Sequence, residues 1–259
     1  MSVKIDINAD LGEGFGRWKL GDDKAMMSIV SSANVACGFH AGDAVIMTRC
    51  VELALENEVA LGAHVGLPDL FGFGRVAMDI DPSDMSKLAL YQLGALAAIA
   101  KVGGARVSHA SIHGALSSMQ RRDPAYVERT FDMFKAFDPD IIVATGVGST
   151  AERYADKIGL KRVGKIFADR AYGDDGLIAS RKLAGSVLHD PAAIKDRLKE
   201  FLLDGVVTSM SGKKMPMKAN CILIHSDTDG AVKIAETVRN TLEQYGAEIT
   251  ALDSLAIGP

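Results

Sequence analysis

The chain has 259 residues, 48% of them apolar and 24% charged, with a formal net charge of −4. That length fits one large α/β domain, spanning 1–259, better than two small ones, and it can bury a sizeable core. The slight negative charge and scattered lysines and arginines, with Lys213-Lys214 the one short basic run, leave no electrostatic footprint for nucleic acid.

The N-terminus shows no basic-then-apolar leader, and no apolar run approaches the roughly 20 residues needed to span a bilayer. Cys37, Cys50 and Cys221 lack CxxC spacing, which predicts reduced thiols in a cytoplasmic protein with no membrane partner. Cys37 stands three residues before His40, but a buried small side chain is the expected role.

Along the chain, Ile5, Ile7 and Ala9 alternate with Asp6, Asn8 and Asp10, the period of a short strand. The strand runs into Leu11-Gly12-Glu13-Gly14-Phe15-Gly16, where glycines let the backbone turn tightly behind two carboxylates. Asp22 or Asp23 caps a helix to about Ser31. A strand over Ala33–Cys37 then ends in Gly38-Phe39-His40-Ala41-Gly42-Asp43, and a helix is expected over Ala44–Glu56. Val59–His64 is a third strand. The long aromatic, Gly-rich loop from Val65 to Arg75 has the character of a functional loop.

Asp81-Pro82-Ser83 opens a helix to about Val102, with proline in its first turn. Strand-like Ala105–Ile112 leads to His113, and Asp123-Pro124 opens a helix to about Phe137. A short buried strand, Ile141–Ala144, precedes Gly146-Val147-Gly148-Ser149, a plain turn into the next helix that could otherwise hold a phosphate. Lys161–Phe167 is a strand followed by Ala168-Asp169-Arg170-Ala171-Tyr172, and Asp190-Pro191 starts a helix to about Leu203. Gly205–Met210 and Lys214–Met217 form a hairpin, Cys221–His225 a buried strand, and a helix from Gly230 to Tyr245 and a strand over Ala247–Leu252 complete the chain.

Strand-then-helix alternation, repeated roughly seven or eight times, argues for parallel strands covered by helices, with a β/α barrel preferred over a doubly wound open sheet. Asp10, His40, His64, His113, Asp169 and His225 each fall at or just past the end of a predicted strand. In a parallel barrel those ends share one face, where the active site is built. One histidine near a strand end is more often a hydrogen-bonded structural residue than a ligand. It is the convergence that points to function. His109 shares a strand face with His113 but stands on the order of 13 Å from it, so it reads as support.

Two chemistries fit the set. Neutral imidazoles with carboxylates can hold a divalent metal that activates water; or Asp10 or Glu13 acts as base and a histidine as acid. Arg75 and Arg170 could clamp a substrate carboxylate.

Together these motifs resemble the LamB/YcsF lactam-utilisation family, also known as the 5-oxoprolinase A-subunit family. The matching stretches are Asp6–Gly16, Ser32–Asp43, Gly62-Ala63-His64, Pro68-Asp69-Leu70 with Gly72-Phe73-Gly74-Arg75, and His113-Gly114-Ala115-Leu116. Phe167–Tyr172, Asp175-Gly176 and Arg181 complete the match, which covers essentially the whole chain. The resemblance implies an irregular seven-stranded β/α barrel related to metal-dependent polysaccharide deacetylases. It implies ATP-dependent opening of a lactam, 5-oxoproline, to glutamate, with ATP used through a complex with partner subunits B and C. A divalent metal and a homo-oligomer are both compatible with it.

Carried over by position, the catalytic candidates are Asp10, Glu13, His40, His64 and His113. The substrate-binding candidates are Asn8, Asp43, Arg75, Asp169 and Arg170, and the metal candidates are Asp10, His40 and His113. The chain departs from the family pattern around the site: Val65-Gly66-Leu67 for proline, glycine and tyrosine, Ser111-Ile112 for lysine and proline, and Ser117-Ser118 for tyrosine and asparagine. Removal of a lysine and a tyrosine predicts a site short of a cation and a donor, so the alternatives are an amidohydrolase or deacetylase acting on another lactam or amide, or a weakened ligand-binding paralogue.

Overall fold

A computed structural model describes residues 2–255. Its strands are β1 (Lys4–Leu11), β2 (Ser32–Ala36), β3 (Ala60–Val65), β4 (Val107–Ile112), β5 (Ile142–Gly146), β6 (Arg162–Phe167), β7 (Val206–Thr208), β8 (Lys214–Pro216), β9 (Cys221–His225) and β10 (Glu248–Ile249). The helices are α1 (Asp23–Met27), α2 (Ala44–Glu56), α3 (Pro82–Gly103), α4 (Gly114–Arg122), α5 (Ala125–Phe137), α6 (Thr150–Ile158), α7 (Pro191–Asp204) and α8 (Ala231–Gln244). Strands β1 to β6 pair in sequence, β6 pairs with β9, and β9 returns to β1, every pairing parallel. The result is a closed seven-stranded β/α barrel. Strand β10 adds outside the ring through Lys4↔Glu248 and Ile5↔Ile249, and β7 with β8 forms the expected hairpin.

The polarity of β1 is set by this closure. Ile5, Ile7, Ala9 and Leu11 belong to the main apolar core, which lies between strands and helices. Asp6, Asn8 and Asp10, equally buried, take the other face of the pleat and point into the barrel. A second, smaller apolar cluster of Ile142, Ala144, Val163, Cys221, Leu252 and Leu255 closes the lower end. Leu252 lies on a short 3-10 turn whose backbone N–H donates to Ser32 Oγ at the start of β2.

Cap chemistry explains why the long helices start and stop where the sequence predicts. Asp81 and Asp190 accept backbone N–H groups ahead of Pro82 and Pro191, while Gly104 and Gly205 end the same two helices in left-handed conformation. Two differences from the sequence reading have local causes. Helix α1 stops at Met27 because Ser31 turns in to β1, its hydroxyl accepting from Ile7 N and donating to Asp6. Helix α4, unforeseen, starts at Gly114 with φ +55° and carries a narrow buried face of Ala115, Leu116, Met119 and Gln120. The stretch is too polar for a clear helical stripe.

Gly62 on β3 shows how tightly the lumen is filled. A Cβ added there would lie 2.2 Å from the His109 imidazole. Gly62→Ala is therefore expected to lose about 1–3 kcal/mol of stability through overpacking. A urea-unfolding midpoint unchanged from wild type would show that His109 yields without strain.

Candidate active site

Because all seven strands are parallel, Asp10, His64, His113 and His225 emerge at one rim of the barrel, joined by Glu13 and His40 from the turns after β1 and β2. Glu13, His40, His64 and His113 are all buried, and one donor atom from each lies within 4.8 Å of the others. Glu13 Oε1 stands 3.3 Å from His40 Nε2, 3.4 Å from His113 Nδ1 and 4.0 Å from His64 Nε2, while His64 Nε2 is 3.0 Å from His113 Nδ1. A tetrahedral ion with ligand bonds of about 2.1 Å needs donor–donor edges of about 3.4 Å. The four separations above bracket that edge, so the cluster could hold a divalent metal ion.

The charge state fits as well. Burial pushes the Glu13 carboxyl well above its ordinary range, with the Asp10 carboxylate adding to the shift. Burial likewise holds His40 down to about 3 and pushes His64 and His113 well below the usual histidine value. Three neutral imidazoles around one desolvated carboxylate are a donor set with no compensating cation of its own.

The loop from Val65 to Arg75 fixes this geometry. His113 Nε2 donates to the Phe73 carbonyl at 2.8 Å, which leaves Nδ1 as the lone-pair atom turned toward Glu13. His40 stacks flat on His113 at 3.8 Å, and the Phe73 ring stands edge-on to both. Gly66 and Gly74 let the loop pass this close: a Cβ would sit 2.5 Å from His40 Nδ1 in the first case and 2.7 Å from His40 Cβ in the second. Gln92 of α3 clamps Gly66 through both its N–H and its carbonyl.

Asp10 is set one step aside. Its Oδ2 lies 3.4 Å from His64 Nε2, and its Oδ1 accepts from Asn34 Nδ2 at 2.8 Å. Asn34 is held in turn by His109 Nε2 at 3.1 Å, and His109 Nδ1 by Ser108 Oγ at 3.0 Å. His109 thus orients Asp10 through Asn34. Burial raises the Asp10 carboxyl, against the attraction of His225 and Lys165.

Across the rim, His225 Nδ1 lies 3.0 Å from Asp169 Oδ1, and Thr228 donates to Asp169 Oδ2 at 2.7 Å. Burial alone would raise the Asp169 carboxyl; His225 and Thr228 outweigh it and leave it below its ordinary value. At the mouth, Arg75 pairs with Asp227 at 2.6 Å and Arg181 with the same carboxylate at 3.5 Å. Two guanidiniums sharing one carboxylate leave a net positive charge there.

Several sequence expectations need correcting. The tight donor set contains Glu13 and His64 in place of Asp10, which lies beside His64 in contact with Asn34. Asp43 caps α2, accepting from Val45 N and Ile46 N, and also accepts from Gly16 N, so its carboxylate organises loops. Arg170 is buried, donating to the Ser186 and Ala179 carbonyls, and holds the segment after β6. Asn8 lies below the rim, donating to Asp6. Two sequence readings hold: Ser149 caps α6, so the Gly-rich stretch before it is the plain turn expected. Cys37 is likewise the buried side chain expected, its thiol pushed up by burial to about 12, the state of an inert group.

One group escaped sequence reasoning altogether. Lys165 of β6 is buried inside the barrel and donates to Ser111 Oγ at 2.7 Å. The cation expected to be missing at position 111 is therefore supplied from another strand. Its period-2 placement with Phe167 was the available signal.

Comparison with known proteins places this geometry. The profile of the LamB/YcsF family matches residues 5–256. The chain belongs to that family. It is 47% identical over 250 residues to a Ralstonia nicotianae protein named as a 5-oxoprolinase A-subunit, covering 96% of each chain. A crystal structure of a lactam utilization protein from Thermus thermophilus superposes with a TM-score of 0.91 at 38% identity, covering 96% of this chain and 100% of that one. The catalytic domain of a peptidoglycan N-acetylglucosamine deacetylase from Eubacterium rectale shares the fold alone, with a TM-score of 0.54 at 10% identity over 98% of this chain and 91% of that one.

Burial of neutral histidines has a measurable consequence. The folded values of His40 and His109, both about 3, lie below the unfolded value of about 6.5. Between those limits the unfolded chain binds more protons, so stability is complete above about pH 6.5 and falls on acidification. His109→Gln is expected to flatten this slope by up to about 1.4 kcal/mol per pH unit. Urea unfolding at pH 7.5, 6 and 5 measures it, and parallel wild-type and variant curves would contradict the assignment.

Proposed function

We propose that this chain opens the ring of 5-oxoproline to L-glutamate, as the A component of an ATP-dependent 5-oxoprolinase that works with subunits B and C. The observation that carries the reading is the buried Glu13–His40–His64–His113 set facing Asp10 on one side and the Asp169–His225 pair on the other. Names borne by relatives of nearly full-length similarity support the substrate and the place in a complex. Among the described residues no helix is long and apolar enough to cross a membrane; we place the enzyme in the cytoplasm, where its buried thiols stay reduced.

A lactam is a stable amide, and water attacks its carbonyl carbon only when the oxygen is made a better electron sink. Transfer of the γ-phosphoryl of ATP to that oxygen, releasing ADP, does this. Arg75 and Arg181 at the mouth then hold the phosphoryl oxygens. The Asp10 carboxylate, made more basic by burial and fixed by Asn34, takes a proton from the attacking water. His225, steadied through Nδ1 by Asp169, gives a proton from Nε2 to the ring nitrogen as its bond to carbon breaks. Loss of that nitrogen leaves a γ-acyl phosphate, which a second water hydrolyses to L-glutamate and inorganic phosphate. Glu13, His40, His64 and His113 would hold a divalent ion, which when bound would supply Lewis acidity at a substrate oxygen.

The donor set favours one second reading, metal-dependent amide hydrolysis without ATP. One measurement separates them. Glutamate release from 5-oxoproline is expected only with ATP and subunits B and C present; release by this chain alone without ATP would favour the second reading, and none in the complete mixture would sink the first. Asp10→Asn in the complex is expected to lower kcat roughly 10²–10⁴-fold with an unchanged circular-dichroism spectrum. A fully active variant would remove Asp10 from the mechanism. Metal analysis is expected to find a divalent ion in wild type that Glu13→Gln retains poorly; equal content in both would exclude Glu13 as a ligand.

A further inference from the structure

The barrel interior holds a cation that none of these steps uses. Lys165 is buried, yet its ammonium, with three N–H groups to satisfy, has a single hydrogen-bond acceptor among the described residues, Ser111 Oγ at 2.7 Å. It forms no ion pair there with a carboxylate. A buried ammonium left with unpartnered donors is costly, and folded proteins rarely keep one without a use for it.

Its position is that of a floor. Register pairs the Lys165 backbone with Gly146 of β5 on one side and Cys221 of β9 on the other. From there the side chain reaches Ser111, which is level with His64 across the β3–β4 pairing. The ammonium therefore lies at the depth of the rim residues. Beside it the wall is open: Gly146 has no side chain, and a Cβ there would meet only Ser149 Cβ at 4.0 Å. The Phe167 ring forms the remaining side, 5.6 Å from Lys165 Nζ and stacked on His225 at 5.4 Å. The niche is one cation, one hydroxyl, one aromatic face and a gap.

We propose that Lys165 is a specificity-determining residue that binds the carboxylate of the substrate, so that the site selects lactams carrying an acid group over plain lactams. This rests on the lactam reading above. That reading asks the site to receive two anionic groups. The phosphoryl group arrives from outside and belongs with Arg75 and Arg181, whose side chains are 32% and 29% exposed at the mouth. The carboxylate, on the far side of the ring nitrogen, is left to face inward. Lys165 and Ser111 can then both donate to it, and the ammonium gains the counter-charge it lacks.

The test is calorimetric binding of two ligands to the full-length chain, 5-oxoproline and 2-pyrrolidinone, which is the same ring without the carboxylate. Wild type is expected to prefer 5-oxoproline by tenfold or more. Lys165→Met is expected to erase most of that preference by weakening 5-oxoproline at least tenfold while leaving 2-pyrrolidinone within twofold. Lys165→Gln, which keeps a donor for Ser111, is expected to do the same and serves if the Met variant does not fold. A variant that weakens both ligands equally, or keeps the wild-type preference, overturns the role of Lys165 alone. Wild type that binds neither ligand, or both equally, overturns the lactam-acid reading and the proposal with it.

Discussion

Burying the Glu13 carboxylate among three imidazoles constrains everything around it. None of the three histidines carries a compensating charge at neutral pH, because burial holds each below its usual value. Left mobile, such a group would turn outward to water. It is held by its surroundings: the flat stack of His40 on His113, the Phe73 carbonyl on His113 Nε2, and two glycines that let the loop close over both rings. Phe73 accepts a positive φ of 54° to present that carbonyl, a conformation that a bulky residue adopts only when its neighbours impose it. Order in the loop and poise in the donor set are one property.

The same constraint explains why the barrel is polar inside. Asp6, Asn8, Asn34, His109, Ser111 and Lys165 are all buried and all hydrogen-bonded. Ser108, His109 and Asn34 form a chain that ends on Asp10, so the orientation of a rim carboxylate is decided by a residue deeper on another strand. The hydrophobic work is moved outward, to the layer between strands and helices, and downward, to the plug of Leu252 and Leu255. A lumen filled with apolar side chains could not fix Asp10 in this way.

Much of this was legible because the controlling signals are local. Alternation over Ile5–Asp10, the Asp-Pro helix starts at 81 and 190, and histidines at strand ends each follow from a few neighbouring residues, and parallel closure then collects the strand ends on one face. What failed was pairing. Asp43 and Arg170 look like site residues in sequence, but their hydrogen-bonding groups are taken by backbone atoms that no spacing rule identifies. Choosing between Asp10 and Glu13 as the fourth donor required knowing which way the turn after β1 folds, and Gly12, at φ +68°, decides that.

Ser111 and Lys165 carry the lesson furthest. The family resemblance read from sequence implies a lysine where Ser111 stands, so from sequence the site reads as short of a positive charge. In the closed barrel, β4 and β6 are separated by β5 alone, whose inward residue at that level is Gly146, and a lysine on β6 can reach across the space. Charge in such a lumen belongs to the cavity and not to the strand that carries it, because a flexible four-carbon stem spans about the width of one strand. A substitution within a motif therefore changes the electrostatics of the site only if no residue on a facing strand answers it. Here Lys165 answers it, and the site keeps a cation at the depth where an acidic substrate would end.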